Sequence, residues 1–445
     1  MEDVSAVSTA GERTRSRVRH FVLFLLFIVT TLNYADRATL SITSSSMQKE
    51  LGLDPVQMGY LFSAFAWAYV AGQIPGGWLL DRFGTKFVYA GSITLWSLFT
   101  LLQGMVGALP VTAVVGGFFL CRLMVGFAEA PSFPGNGRIV AAWFPTAERG
   151  TASAIFNSAQ YFATVLFAPL MAYLTHAHGW RSVYFVMGSL GIVLAGLWLY
   201  FIHDPKSHPR ISRAELEHIE CGGGLVSLER AAAAKAPPQW GAIKQLLSSR
   251  MMMGIYVGQY CITTLTYFFL TWFPVYLVQE RGMSILKAGF VASLPAVVGF
   301  IGGVLGGVIS DGLLRRGHSL SLSRKSPIVL GMLLSTSMVL CNYVDSQWLV
   351  VAIMSLSFFG KGVGALGWAV MSDTAPKQIA GLSGGVFNTF GNVAGITTPI
   401  IIGYLVKGSG SFAAALVFVG ANALLAIVCY LLVVGEIRRM ELKQA

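Results

Sequence analysis

Five ionisable side chains stand well inside long apolar stretches of this sequence: Asp36, Arg37, Arg122, Glu129 and Lys361. A charge at the centre of a bilayer costs at least about 2.5 kcal/mol, so each of these calls for a partner or a function. Tyr34 and Arg37 are three apart and share a helix face. A guanidinium offers a carboxylate two parallel hydrogen bonds, which makes Arg37 a candidate anchor for an anionic substrate. The plainer alternative is that Arg37 neutralises Asp36. Arg122 and Glu129 lie seven apart, two turns along one face, and are expected to pair directly or through a shared partner. Lys361 stands in Phe358-Phe-Gly-Lys-Gly-Val-Gly364, where helical spacing puts Lys361, Ala365 and Trp368 on one face. Its plainer alternative is a lysine snorkelling toward the outer interface.

The same residues bear on proton chemistry. All seven histidines fall at the ends of apolar stretches or between them, so the usual neutral-pH titrating group is absent from the interior. Proton carriage there falls to Asp36 and Glu129, with Arg122 beside them. Desolvation and a neighbouring cation act on a carboxylate's proton in opposite directions, so changing access to water, substrate or arginine can load and unload it. A permanent bridge without titration is the alternative. No His-Glu-x-x-His, paired cysteines or intramembrane histidine exists to support an embedded enzyme, and no metal or cofactor is expected. The five cysteines, four in apolar stretches and Cys221 between them, make no disulfide framework.

The elements that must position these groups follow from composition. A chain of 445 residues that is 55% hydrophobic and 11% charged, with a mean hydropathy of +0.66, cannot hide its apolar side chains in a water-soluble core. About twenty apolar residues cross the hydrocarbon. Such stretches predict an all-α membrane protein with about twelve spans: 20–44, 57–79, 87–108, 111–137, 150–174, 182–203, 251–278, 288–310, 326–343, 347–372, 381–406 and 411–435. The first carries Asp36 and Arg37 and no cleavage site follows it, so it is expected to persist in the mature protein. The net charge of +11 marks topology rather than nucleic acid. Most Lys and Arg fall on one side of the spans, including Arg13, Arg15, Arg17 and Arg19, and the positive-inside rule then makes both termini cytoplasmic.

The chain is internally duplicated. Residues 204–249 form a polar linker with Glu215, Glu217, Glu220 and Pro237-Pro238. Across it, Gly77-Trp-Leu-Leu-Asp81 is echoed by Gly307-Val-Ile-Ser-Asp311, and Pro145 by Pro376, each proline being followed twelve residues later by the asparagine of a Phe-Asn pair, Asn157 and Asn388. Matches in order at one offset imply two six-helix halves. The expected organisation is a basic tail (1–19), an N-terminal half (20–203), the linker, a C-terminal half (250–435) and a short tail (436–445). Two parallel halves related by a pseudo-two-fold axis create a midplane cavity that rocking exposes to alternate sides.

The stretch Gly77-Trp-Leu-Leu-Asp-Arg-Phe-Gly-Thr-Lys86 resembles the cytoplasmic signature loop of the major facilitator superfamily. Asn33-Tyr-Ala-Asp-Arg-Ala-Thr-Leu40, Phe62-Ser-Ala-Phe-Ala-Trp-Ala-Tyr69, Gln73-Ile-Pro-Gly-Gly77, Phe127-Ala-Glu-Ala-Pro-Ser-Phe-Pro134 and Gly385-Val-Phe-Asn388 resemble its anion:cation symporter branch, and within it the bacterial glucarate/galactarate proton symporters. The resemblance covers essentially the whole chain. It implies the twelve-helix major facilitator fold in a bacterial inner membrane, proton-coupled uptake of a sugar diacid, and a monomer. It also implies a latch at Gly77, Asp81, Arg82, Gly84 and Lys86 with Asp311 in the second half, protonation at Asp36 and Glu129, and Arg37 as carboxylate anchor. The matching family positions for the sugar hydroxyls are Tyr69, Gln160, Asn388 and Asn157, with Tyr34 and Trp368 as walls. A diacid has a carboxylate at each end, and Lys361, a cation from the other half, is expected to take the second. Asn136, Arg138, Asp373 and Lys377 are expected as gate or topology residues. The competing reading is a symporter or exchanger for a monocarboxylate such as a hexuronate or aldonate, with Lys361 incidental.

Overall fold

A computed structural model describes residues 16–145, 148–226, 240–376 and 379–441, and the Asp81 side chain also lies outside the described residues. Arg13, Arg15, Pro237, Pro238 and Lys377 therefore fall outside them as well. The first half comprises α1 (Val18–Leu51), α2 (Pro55–Phe83), α3 (Thr85–Met105), α4 (Val111–Glu129), α5 (Ser132–Trp143), α6 (Arg149–His178) and α7 (Trp180–Phe201). Two short helices, α8 (Arg213–Cys221) and α9 (Trp240–Ser248), follow in the linker. The second half comprises α10 (Arg250–Tyr267), α11 (Phe273–Gln279), α12 (Ile285–Arg315), α13 (Leu320–Ser335), α14 (Gln347–Val363), α15 (Gly367–Thr374), α16 (Ala380–Ser409) and α17 (Ala413–Val428).

Counting α4–α5, α10–α11 and α14–α15 as interrupted rods gives twelve among the described residues, six to a half. Eleven of them are long and apolar enough to cross a membrane by the strictest count, and α2 is the twelfth rod. The chain is a multi-pass membrane protein. Large apolar side chains such as Val193, Val308 and Leu432 stay exposed on the outside of the bundle, where lipid rather than water is the solvent.

Three expected spans are interrupted. The fourth breaks at Ala130-Pro131, because Pro131 has no amide hydrogen to extend the ladder of α4. The tenth breaks at Gly364–Leu366, between α14 and α15. The seventh passes through a π-helical stretch, Phe268–Trp272, between α10 and α11, the kind of bulge found at functional sites. The tenth-span break corrects one expectation: Lys361, Ala365 and Trp368 do not share one continuous helix face.

The halves meet along two equivalent seams, α6 against α12 and α2 against α16, with α1 against α11. Contacts concentrate at the end remote from the linker. There the Ser41 hydroxyl donates to the Thr271 carbonyl at 2.7 Å, Lys407 pairs with Asp54 at 2.9 Å, and Gly59 and Gly403 lie against the backbone of Pro399 and Pro55. Toward the linker, Asn157, Ala365 and Trp368 are exposed on the facing surfaces. The molecule is thus closed at one end and open at the other.

Candidate functional site

Between the halves lies a cavity of about 770 Å³ lined by side chains from both. Its N-terminal wall is built on Arg37. The Arg37 Nε donates to Glu129 Oε2 at 2.9 Å and Nη2 to Asn33 Oδ1 at 3.0 Å, while Nη1 has no hydrogen-bond partner among the described residues. Three rings surround the guanidinium, Tyr34, Phe65 and Tyr69, with centroids 4.8, 4.7 and 4.9 Å from its carbon. These cation–π contacts fix its plane and compensate part of its lost hydration. Glu129 ends α4, immediately before the break at Pro131, and is fully buried.

Behind Arg37, away from the cavity, lie Asp36 and Arg122. Arg122 donates to the backbone carbonyls of Asp36 at 3.3 Å and Arg37 at 3.4 Å, so it steadies the α1 backbone that presents Arg37. Of the two expected arrangements, a direct Arg122–Glu129 bridge is absent, and both residues instead contact Arg37 of α1, Arg122 at its backbone carbonyl and Glu129 at its guanidinium. Asp36 is 1% exposed, and neither carboxyl oxygen has a hydrogen-bond partner.

On the opposite wall stands Lys361, 6% exposed. Its flanking glycines place it: a Cβ on Gly360 would overlap the Gly331 carbonyl oxygen of α13, and one on Gly362 the Gly299 carbonyl oxygen of α12. With α14 pressed between two helices on its glycine sides, the intervening lysine is turned into the cavity. Lys361 Nζ lies 5.2 Å from the Phe358 ring centroid and has no ion pair or hydrogen bond among the described residues. It is a buried cation facing a polar cavity with nothing to balance it.

All eight residues expected to hold substrate line this cavity: Tyr34, Arg37, Tyr69, Asn157, Gln160, Lys361, Trp368 and Asn388. The duplicated asparagines occupy corresponding places on α6 and α16. Asn388 Nδ2 donates to Gln73 Oε1 across the halves at 3.2 Å, and Trp368 packs edge-on against Phe387 with centroids 4.9 Å apart. Sequence reasoning missed Gln73, Tyr161, Gln259, Thr263, Tyr267 and Asn392, which complete the walls. Gln73 sat inside a quoted motif, and an amide at Gln259 within an apolar span was a usable signal; Tyr161 and Tyr267 stand among many aromatics with nothing to single them out.

The expected latch residues lie at the linker end. Gly84 (φ +81°) turns the chain from α2 into α3, Arg82 lies over the Trp78 and Phe83 rings, and the Lys86 carbonyl accepts from Trp198 Nε1 at 3.1 Å. Gly77 lies on α2, six residues before its end. In the second half Asp311 accepts from Arg324 at 3.2 Å, and Arg324 also reaches Asp373 at 2.8 Å, so this cluster ties α12, α13 and α15 within one half. Asn136 is buried inside the first half, accepting from the Tyr89 hydroxyl at 2.6 Å and donating to Thr30 at 3.1 Å.

Known proteins share this design. The chain is 64% identical to the probable galactarate/D-glucarate transporter of Bacillus subtilis (strain 168), covering 100% of this chain and 97% of that one. It is 62% identical to the protein of the same description from Escherichia coli (strain K12), covering 100% and 99%. It is 40% identical to the D-galactonate transporter of Escherichia coli O6:H1, covering 95% and 97%. Among solved structures, a bacterial homologue of the human lysosomal transporter Spinster, inward-facing and occupied, superposes with a TM-score of 0.72 at 17% identity, covering 94% and 97%. The D-xylose-proton symporter gives 0.69 at 16% identity, covering 93% and 98%. The model for the Major Facilitator Superfamily matches residues 26–323, and with twelve rods in two halves around a central cavity the chain belongs to that superfamily of transporters.

Proposed function

We propose that this chain imports a sugar diacid, galactarate or D-glucarate, together with protons across a bacterial inner membrane, by alternating access and as a monomer. The observation that carries the reading is the pair of cations on opposite walls of one cavity. Among the described residues Arg37 keeps Nη1 free, and Lys361, in the other half, has no counter-ion. A dicarboxylate spanning the cavity neutralises both and draws the halves together. Amides and hydroxyls from Gln160, Asn157, Asn388 and Tyr69 are placed to meet the hydroxyls between. The relatives at 64% and 62% identity, described as probable galactarate/D-glucarate transporters, support the same substrate class.

Proton coupling follows from who holds Arg37. A substrate carboxylate arriving at the guanidinium competes with Glu129, and a buried carboxylate that loses its cation is strongly destabilised unless it takes up a proton. Asp36, buried without a donor, is the second carrier, positioned one residue from Arg37. With the linker and its basic residues on the cytoplasmic side, the open end faces the cytoplasm and this state is the one that releases substrate. On this reading both termini are cytoplasmic.

The test is uptake of radiolabelled glucarate into liposomes containing the purified protein, with and without an inward proton gradient, with galactarate, glucuronate and galactonate as competitors. Gradient-driven uptake inhibited only by diacids is the expected result. The 40%-identical D-galactonate transporter supports a second reading, a monocarboxylate substrate. Equal inhibition by galactonate and galactarate would establish it and leave Lys361 without a substrate role.

A further inference from the structure

A second polar cavity, of about 580 Å³, lies on the outside of the first half where α1 begins and α7 ends. Arg17, Arg210, His203 and His208 form its polar part, and Phe21 and Tyr200 its apolar part. Arg17 and Arg210 are exposed, and neither guanidinium has an ion pair among the described residues. Among the described residues no carboxylate lines the cavity. Glu215, a buried acid, is committed to the start of α1, accepting from the Ser16 hydroxyl and, at 3.1 Å each, from the amides of Val18 and Arg19. Among the described residues the two guanidinium groups of the rim therefore have no paired carboxylate.

Depth distinguishes this groove from an ordinary basic patch. It sits at the edge of the apolar spans of α1 and α7, with Tyr200 at the level where aromatic side chains favour the membrane interface. Deeper along the same two helices, Phe24 and Val193 are 57% and 60% exposed. They lead toward a wholly apolar groove of about 200 Å³ between α1, α6 and α7, walled by Ile28, Phe162, Leu190 and Val193. A basic mouth where α1 begins and α7 ends, with exposed apolar side chains and a second, apolar groove farther along the same helices, matches an amphiphile with an anionic head and a hydrocarbon tail.

We infer that this groove is a binding site for one anionic phospholipid, its phosphodiester held by Arg17 and Arg210 and an acyl chain laid along α1 and α7. The occupant joins the first turn of α1 to the segment leading into the linker, and it involves none of the residues assigned to sugar-acid transport.

Native mass spectrometry of the full chain in detergent, titrated with phosphatidylglycerol or phosphatidylcholine, tests this. A retained phosphatidylglycerol adduct is expected, with phosphatidylcholine bound far more weakly. The double variant R17Q/R210Q should weaken phosphatidylglycerol binding about tenfold, and R210Q alone, which leaves Arg17 and the Glu215 contacts at the start of α1 in place, should give an intermediate loss. R315Q/R316Q removes the same charge from the far end of α12 and should leave the adduct intact. Equal losses in the two double variants, equal binding of both lipids, or displacement of the adduct by free glycerol 3-phosphate would each overturn the assignment.

Discussion

Glu129 and Lys361 occupy corresponding places in the two halves: each lies in the last turn of the fourth rod, just before that rod breaks. The duplication thus places an acid at the end of one fourth rod, buried behind Arg37, and a base near the end of the other, on the cavity wall. The acid is paired, through Arg37 of α1, while the base is not. With Glu129 charged, the empty cavity carries one surplus positive charge; on the proposed coupling Glu129 takes up a proton, and the two cations then match an anion of two charges better than an anion of one. On that reading selectivity falls to Lys361 and coupling to Glu129.

Replacing Lys361 should therefore separate substrates by charge. In K361Q, uptake of glucarate is expected to fall at least tenfold, while the smaller affinity for galactonate changes by no more than about threefold, because only the diacid loses a charge-assisted contact. Competition assays in liposomes read the ratio directly. Parallel loss of both substrates would assign Lys361 to folding rather than to selection.

Neutralising Glu129 should uncouple transport from the proton. E129Q keeps a side chain able to accept from Arg37 but removes the site that must discharge when substrate takes the guanidinium. Exchange of labelled for unlabelled glucarate across the membrane is expected to persist, whereas accumulation driven by a proton gradient disappears. Gradient-driven accumulation at the original level in E129Q would remove Glu129 from the coupling path.

The seam at the end remote from the linker, the outer end on the proposed orientation, has no spare room. A Cβ on Gly403 would lie 2.5 Å from the Pro55 carbonyl oxygen, and one on Gly59 2.7 Å from that of Pro399. Both obstacles are backbone, so G403V should wedge α16 from α2 and hold the outer end open. Uptake is expected to drop more than tenfold. A cysteine placed at Thr263, on the cavity wall, should become reactive to a membrane-impermeant thiol reagent added from the side remote from the linker. Unchanged labelling would mean that the seam is closed by other contacts.

Much of this design is legible in the sequence because the membrane makes charge expensive. Five ionisable residues inside apolar stretches announce themselves, and an offset repeat declares the two halves. Pairing is a different matter. Seven residues along one helix put Arg122 within conceptual reach of Glu129, yet the partner is Arg37, ninety-two positions away on α1, since only the packed bundle sets which helices face each other. The rod breaks at Pro131 and Gly364 were visible as proline and glycine, residues that membrane helices also tolerate uninterrupted. Tyr161 and Tyr267 gained meaning only once both halves enclosed the same space.

Asn136, expected from the sequence as a gate or topology residue, stands in a buried network inside one half. It accepts from Tyr89, whose ring stacks on Trp198 with centroids 4.4 Å apart, and donates to Thr30 of α1; all three partners of this network are buried. N136A leaves the Tyr89 hydroxyl without its acceptor in a dry interior, at a cost of about 1–3 kcal/mol. Since the network joins α1, α3 and α5 within one half, that loss should appear as a lower unfolding temperature in detergent and a smaller folded fraction. The folded remainder should transport glucarate with unaltered affinity. A gate residue would do the reverse, leaving thermal stability in place and changing the rate at which the cavity opens, so unfolding and uptake measured on one preparation decide between the two roles.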